Sequence, residues 1–138
     1  MPDQENQFWQ KHSLKFLEMA FRTDRRERLE KPDGYGKQST ECGDTIEFFL
    51  LIKEDRILAS YEIRGCLNTN ACANAVIELI NGRTLTEAWQ LSAQEVFDFL
   101  ESLEPFHFHC AELAIGALHQ ALNHALTLRQ APWKKLYQ

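Results

Sequence analysis

Two runs of alternating apolar residues, separated by only two acidic residues, constrain this chain more than any other feature. Ile46, Phe48, Leu50 and Ile52 alternate with Glu47, Phe49 and Leu51 across Thr45 to Lys53. After Glu54-Asp55, Ile57, Ala59, Tyr61 and Ile63 alternate again. A period of two places one set of side chains on one face of a strand, so the pair reads as an antiparallel hairpin with one apolar face. A third strand between Gly36 and Glu41 is a weaker expectation because that stretch is polar. A sheet this small must bury its apolar face under helices.

The rest of the chain supplies helices. Phe8, Trp9, Phe16, Met19 and Ala20 recur at helical spacing and predict an amphipathic helix over Asn6 to Phe21. A polar connection then leads to Lys31-Pro32-Asp33-Gly34-Tyr35-Gly36, read as a turn in which glycine supplies a positive φ. Asn70 to Ile80 predicts a helix that stops at Asn81-Gly82. Thr84-Leu85-Thr86-Glu87 and Ser92-Ala93-Gln94-Glu95 both fit the capping box and predict two further helix starts. Leu113, Ala114, Ala117, Leu118, Ala121, Leu122, Ala125 and Leu126 form an apolar stripe on a helix from about Cys110 to Leu128. The expected fold is α+β: about three antiparallel strands packed against about five helices. At 138 residues and 44% hydrophobic content, residues 1–138 should form a single domain.

Net charge of −5 offers no drive toward nucleic acid or an anionic membrane. Arg22, Arg25, Arg26, Arg28 and Lys31 do cluster, but Asp24, Glu27 and Glu30 interrupt them, as on a solvated face. The polar start, Met1-Pro2-Asp3-Gln4-Glu5, resembles no secretory signal, and no stretch is of membrane-spanning length, so the expected location is cytoplasmic. In a reducing compartment four cysteines point to ligands or reactive thiols rather than disulfides.

Three of these cysteines lie at predicted element boundaries. Cys42-Gly43-Asp44 sits in a stretch read as extended, which puts Cys42 and Asp44 on one face. Cys66 follows Gly65 between a strand and a helix, and Cys110 follows His109 where another helix opens. Exposed N–H groups at helix starts favour thiolate, the form that binds metal and attacks sulfur. Cys42, Cys66 and Cys110 would supply three soft ligands, leaving His109 or Asp44 for a fourth, and the same set suits zinc. Cys72 reads as an interior helix residue. His107 would share a face with His109 if that run is extended and could then serve as an auxiliary ligand, but a surface or supporting role is the favoured reading; His12, His119 and His124 read as surface residues.

The order Cys-Gly-Asp, Gly-Cys, His-Cys-x-x-Leu-Ala, with Asn81-Gly82-Arg83-Thr84-Leu85-Thr86-Glu87-Ala88 between the last two, resembles the U-type iron–sulfur cluster scaffolds, IscU and the N-terminal domain of NifU, over about Gly34 to Leu126. The resemblance implies a non-enzymatic scaffold that accepts sulfur from a cysteine desulfurase, binds iron, builds a transient [2Fe–2S] cluster and hands it to acceptor proteins, with a ferredoxin-type electron donor. It implies Cys110 as the persulfide acceptor, Cys42, Cys66 and His109 as further iron ligands, and Asp44 as the group tuning stability and exchange. Two departures stand out. Members served by a dedicated Hsp70-type chaperone carry Leu-Pro-Pro-Val-Lys where this chain reads Leu103-Glu104-Pro105-Phe106-His107, so that partner is not implied. The start of the chain also diverges from the usual Tyr-x-x-Asn-Pro-Arg-Asn-x-Gly. The alternative is a zinc-bound sulfurtransferase or desulfurase activator of the SufU type, although the short Cys66 to Cys110 interval favours the IscU and NifU side.

Overall fold

Residues 12–131 are described by a computed structural model. Three strands, β1 (Gly34–Ser39), β2 (Thr45–Lys53) and β3 (Arg56–Arg64), form an antiparallel sheet in the order β1-β2-β3. In the β2–β3 register Ile46 faces Ile63, Phe48 faces Tyr61 and Leu50 faces Ala59, so the alternating residues of both strands share one face. Phe48, Leu50 and Tyr61 are fully buried on it. The hairpin turn is tight, with positive φ at both Glu54 and Asp55, the geometry that matches strand twist in a two-residue loop.

Five helices accompany the sheet among the described residues: α1 (Leu14–Phe21), α2 (Leu67–Ile80), α3 (Leu85–Trp89), α4 (Ala93–Leu100) and α5 (Phe108–Gln130). The sequence expectation for the first helix began at Asn6, and the part before residue 12 lies outside the described residues. Within them α1 starts at Leu14, because the Ser13 hydroxyl accepts from the Phe16 N–H at 3.0 Å. Thr84 closes the full capping box with Glu87, and Ser92 caps α4 by accepting from Glu95 N–H. The helix α2 opens at Leu67, directly behind Cys66, and not at Asn70.

The apolar side chains form one contiguous core in which α5 lies across β1 and β2 while α2 covers β3 and packs on α1. Close approach decides the α5–β1 contact. A Cβ on Gly36 would fall 2.1 Å from Ala117 O and 2.4 Å from Ala121 N, so only glycine lets strand and helix meet. Gly34 likewise sits in β1 against Ala121 and has no positive φ, so its reason is packing rather than the turn geometry expected from the sequence. The alanine stripe of α5 is the matching half of this contact.

The connection from α1 to β1 also differs from expectation. It is more than a solvated face, since Arg26 makes a parallel bridge to Tyr61 and Tyr61 N–H donates to Arg25 O at 3.1 Å. Its arginines pair with Asp24, Glu78, Glu62 and Glu47. Arg28 and Tyr35 cover the outer face of β2, so Glu47 and Phe49 are buried despite alternating with the core residues.

A polar knot joins the two halves. Asn74, fully buried, donates to Met19 O, Arg22 O and the Tyr61 hydroxyl, and Asn70 donates to Ala20 O and Arg22 O. These carbonyls are the unpaired acceptors at the C-terminal end of α1, satisfied here by asparagine side chains from α2.

Candidate metal and thiol site

Three chain segments reach the same end of the sheet. Gly34 lies against Ala121 and Gly36 against Ala117, while Gly116 lies against Gln38. Thus α5 runs antiparallel to β1, bringing its N-terminal turn toward the β1–β2 turn. That turn pairs Ser39 with Thr45, and Thr45 in turn pairs with Arg64, the residue before Gly65-Cys66.

Each segment is held by local chemistry. In the β1–β2 turn Thr40 N–H donates to Asp44 O at 2.8 Å and Asp44 N–H donates to the Thr40 hydroxyl at 3.1 Å. Gly43 takes a φ of 95°, a conformation that excludes an extended run. Cys42 and Asp44 are therefore not strand neighbours on one face, contrary to the sequence expectation. Cys42 is exposed on the turn. Cys66 is the N-cap residue of α2, with its thiol 3.7 Å from the Asn68 amide nitrogen and 3.8 Å from the Thr69 hydroxyl. The Pro105–His107 segment is a short 3-10 turn whose His107 N–H donates to Glu104 O, and α5 continues from it at Phe108. Phe108 anchors this junction edge-on against Phe97.

Among the described residues, His107, His109 and Cys110 form the close donor group, their ligand atoms all within 4.8 Å of one another. His107 joins because the 3-10 turn coils the chain there, not because the run is extended. The His109 ring nitrogen Nδ1 lies 2.9 Å from Phe106 O. A carbonyl can only accept, so Nδ1 carries the proton and the Nε2 lone pair is left facing Cys110 Sγ at 3.6 Å. Backbone orientation of a ligand imidazole in this manner is how proteins prepare histidine for metal. Asn68 extends the network, its Nδ2 also lying 3.2 Å from His107 Nε2.

The two inner thiols have opposite character. Burial would raise the Cys66 thiol, but the Thr69 N–H and hydroxyl and the Asn68 N–H and amide outweigh it and hold Cys66 below the ordinary thiol value. Burial pushes the Cys110 thiol up to about 11, with the nearby Cys66 and Asp44 charges adding to it and the Thr69 hydroxyl opposing. This overturns the expectation that a helix start makes Cys110 a thiolate: at 1% exposure, desolvation outweighs the helix amides. It also puts Cys66 and Asp44 within electrostatic reach of Cys110. Cys72, fully buried, is raised well above the ordinary value by burial first and then by Cys110 and Cys66, consistent with its interior assignment.

Of the residues singled out from sequence, His109 and Cys110 stand in the close donor group, Cys66 and Asp44 lie outside it but within electrostatic reach of Cys110, and Cys42 is exposed on the Asp44 turn. Asn68 and Thr69 went unnoticed, although their positions two and three after an N-cap cysteine are where amide donors gather. His119 and His124 are not free surface residues. His119 stacks on Trp89 at 4.6 Å, His124 Nδ1 accepts from Tyr35 N–H at 3.0 Å, and burial lowers both imidazoles.

No helix among the described residues is long and apolar enough to cross a membrane. The family model "NifU-like N terminal domain" matches residues 24–130. Among curated relatives, iron–sulfur cluster assembly scaffold protein IscU 1 of Archaeoglobus fulgidus is 29% identical over 97 residues, covering 69% of this chain and 63% of that protein. The iron–sulfur cluster assembly protein IscU of Plasmodium falciparum is 36% identical over 89 residues, covering 64% of this chain and 53% of its own length. The chain thus spans less than two thirds of these relatives. A crystal structure of a candidate SUF-system iron–sulfur cluster assembly scaffold from Fervidobacterium islandicum AW-1 superposes with a TM-score of 0.66 at 20% identity, covering 82% of this chain and 97% of that one. The N-terminal NifU-like protein of Brucella abortus gives 0.51 at 20% identity, covering 84% and 83%. At that identity these structures speak to the fold alone. The family match extends over well more than half of the sequence, and the chain belongs to the IscU/NifU-like scaffold family as a NifU-like N-terminal domain.

Proposed function

We propose that this chain is an iron–sulfur cluster assembly scaffold that receives sulfur from a cysteine desulfurase, binds iron, assembles a [2Fe–2S] cluster and passes it to acceptor proteins. The observation that supports the reading is the pairing of His109 with Cys110 at the start of α5, with Cys66 and Asp44, from two other segments, within electrostatic reach of Cys110. Cluster and iron are cargo here, held by thiolate and imidazole donors with a carboxylate beside them. The hard oxygen of Asp44 matches a soft cluster edge poorly and so favours release.

The sulfur step balances without an external oxidant. Cys110, the proposed acceptor, gives its proton to His109 Nε2; its thiolate attacks the terminal sulfur of the desulfurase persulfide. A new S–S bond forms, the old one breaks, and the desulfurase thiolate leaves. Two sulfane sulfurs need four electrons to become sulfide; two ferrous ions supply two, and a ferredoxin-type donor supplies the other two. Because Cys110 is 1% exposed, its attack requires the residues packed around it to move aside, a requirement the exposed Cys66 does not share. Mass spectrometry of the persulfidated chain distinguishes the two acceptors.

The test is anaerobic incubation with ferrous iron, cysteine and a desulfurase. A visible cluster chromophore forms, and Cys66→Ser abolishes it; a colourless parent protein refutes the reading. The second reading, a zinc-bound sulfurtransferase of the SufU type, draws on a donor set of imidazole and thiol that also suits zinc. It predicts stoichiometric zinc, no sulfide and stimulated desulfurase turnover after anaerobic purification.

A further inference from the structure

We propose that His107 is a metal ligand, completing with His109 and Cys110 a two-nitrogen, one-sulfur site for a single divalent transition metal of borderline softness. The close approach of the three donors is the basis. Metal–nitrogen bonds of about 2.05 Å and metal–sulfur bonds of about 2.3 Å at a tetrahedral angle hold N and S about 3.6 Å apart. Cys110 Sγ and His109 Nε2 already stand at 3.6 Å, with the Nε2 lone pair free of its proton. The separation of this pair therefore already matches that of two donors sharing an ion. His107, within 4.8 Å of both, has only a side-chain rotation of order 1 Å to complete, against tetrahedral donor spacings of about 3.3 to 3.6 Å.

The His107 imidazole is held at the site rather than trailing in solvent. Its ring lies 4.1 Å from that of Phe106 and 6.0 Å from that of His109, and Asn68 Nδ2 meets its Nε2 at 3.2 Å. Asn68 Nδ2 lies within reach of the Cys66 thiol as well, so the imidazole borders the exposed thiol without belonging to it. Cys66 lies outside the close donor group. Two imidazoles and one thiolate suit Fe(II), Zn(II) and Co(II) over Mg(II) or Ca(II). Naming iron as the working ion rests on the scaffold reading; the ligand role of His107 does not.

Cobalt(II) is the probe. Anaerobic titration of the parent protein should give one equivalent of tetrahedral Co(II), with visible d–d bands and a thiolate-to-cobalt charge-transfer band. His107→Ala and His107→Gln should each weaken binding at least about tenfold and shift the d–d bands. X-ray absorption should count two imidazoles on the ion in the parent and one in either variant. Metal-free unfolding midpoints serve as the folding control, since the His107 ring touches Phe106 and Asn68 at the half-exposed rim. Parental affinity and spectra in both variants overturn the proposal, as does a parent that binds no Co(II). Either result leaves the chromophore test of the scaffold untouched. Conversely, His107-dependent Co(II) binding without cluster formation would overturn the scaffold reading and uphold the ligand.

Discussion

Alkylation of the folded chain by iodoacetamide at neutral pH should label Cys66 first and Cys110 far later. The thiolate is the reacting species, and the Cys110 thiol is raised from the ordinary value of 9.0 to about 11. Two tenfold steps in proton affinity leave about one hundredth of the thiolate an unperturbed cysteine would offer, before steric burial slows the reaction further. Quenched time points followed by peptide mass spectrometry read both rates. The same shift appears in stability. The native chain keeps the Cys110 proton where the unfolded chain has released it, so this contribution is intact below about pH 9 and is lost as pH rises to about 11. Its size is about 3 kcal/mol. Urea unfolding across that window should therefore show a steeper fall for the parent than for Cys110→Ala. Tyr35, raised to about 12 by burial and by Glu47, falls away at higher pH in both proteins alike. Equal labelling rates for Cys66 and Cys110, or parallel stability slopes in parent and variant, would refute the claim that burial dominates at this helix start.

Gly36→Ala should destabilise the fold by about 3 kcal/mol or more in urea unfolding, because the new methyl meets Ala117 O at 2.1 Å and helix backbone cannot yield; an unchanged midpoint would contradict the packing argument. Asn74→Ala removes a buried donor serving Met19 O, Arg22 O and Tyr61, and should cost about 2 kcal/mol, read in the same assay against a nearly neutral Asn68→Ala. Replacing Glu54-Asp55 by Asn-Gly relieves two positive-φ residues and should raise stability by about 1 kcal/mol in thermal unfolding, since the Arg129 pair lost with Asp55 is exposed on both sides. Asp44→Ala should slow transfer of an assembled cluster to an apo acceptor followed by circular dichroism, and equal transfer rates would remove Asp44 from the release step.

Local pattern carried much of this protein. The β2–β3 hairpin, the alanine stripe of α5, the Thr84 capping box and the interior place of Cys72 follow from periodicity and short-range hydrogen bonding, which a linear sequence displays directly. The order of Cys42, Asp44, Cys66, His109 and Cys110 was equally visible as a family resemblance. Tertiary packing decided the rest. That Gly34 and Gly36 exist to admit α5, that the basic segment ribs β3, and that Asn70 and Asn74 cap α1 depend on partners remote in sequence. The ionisation of Cys66 and Cys110 likewise turns on which thiol the fold buries: identical chemistry at two helix starts diverges because one sulfur keeps water and amide donors while the other loses its solvent. His107 entered the donor group for the same reason, since only the coiling of the chain into α5 brings its ring back toward His109 and Cys110.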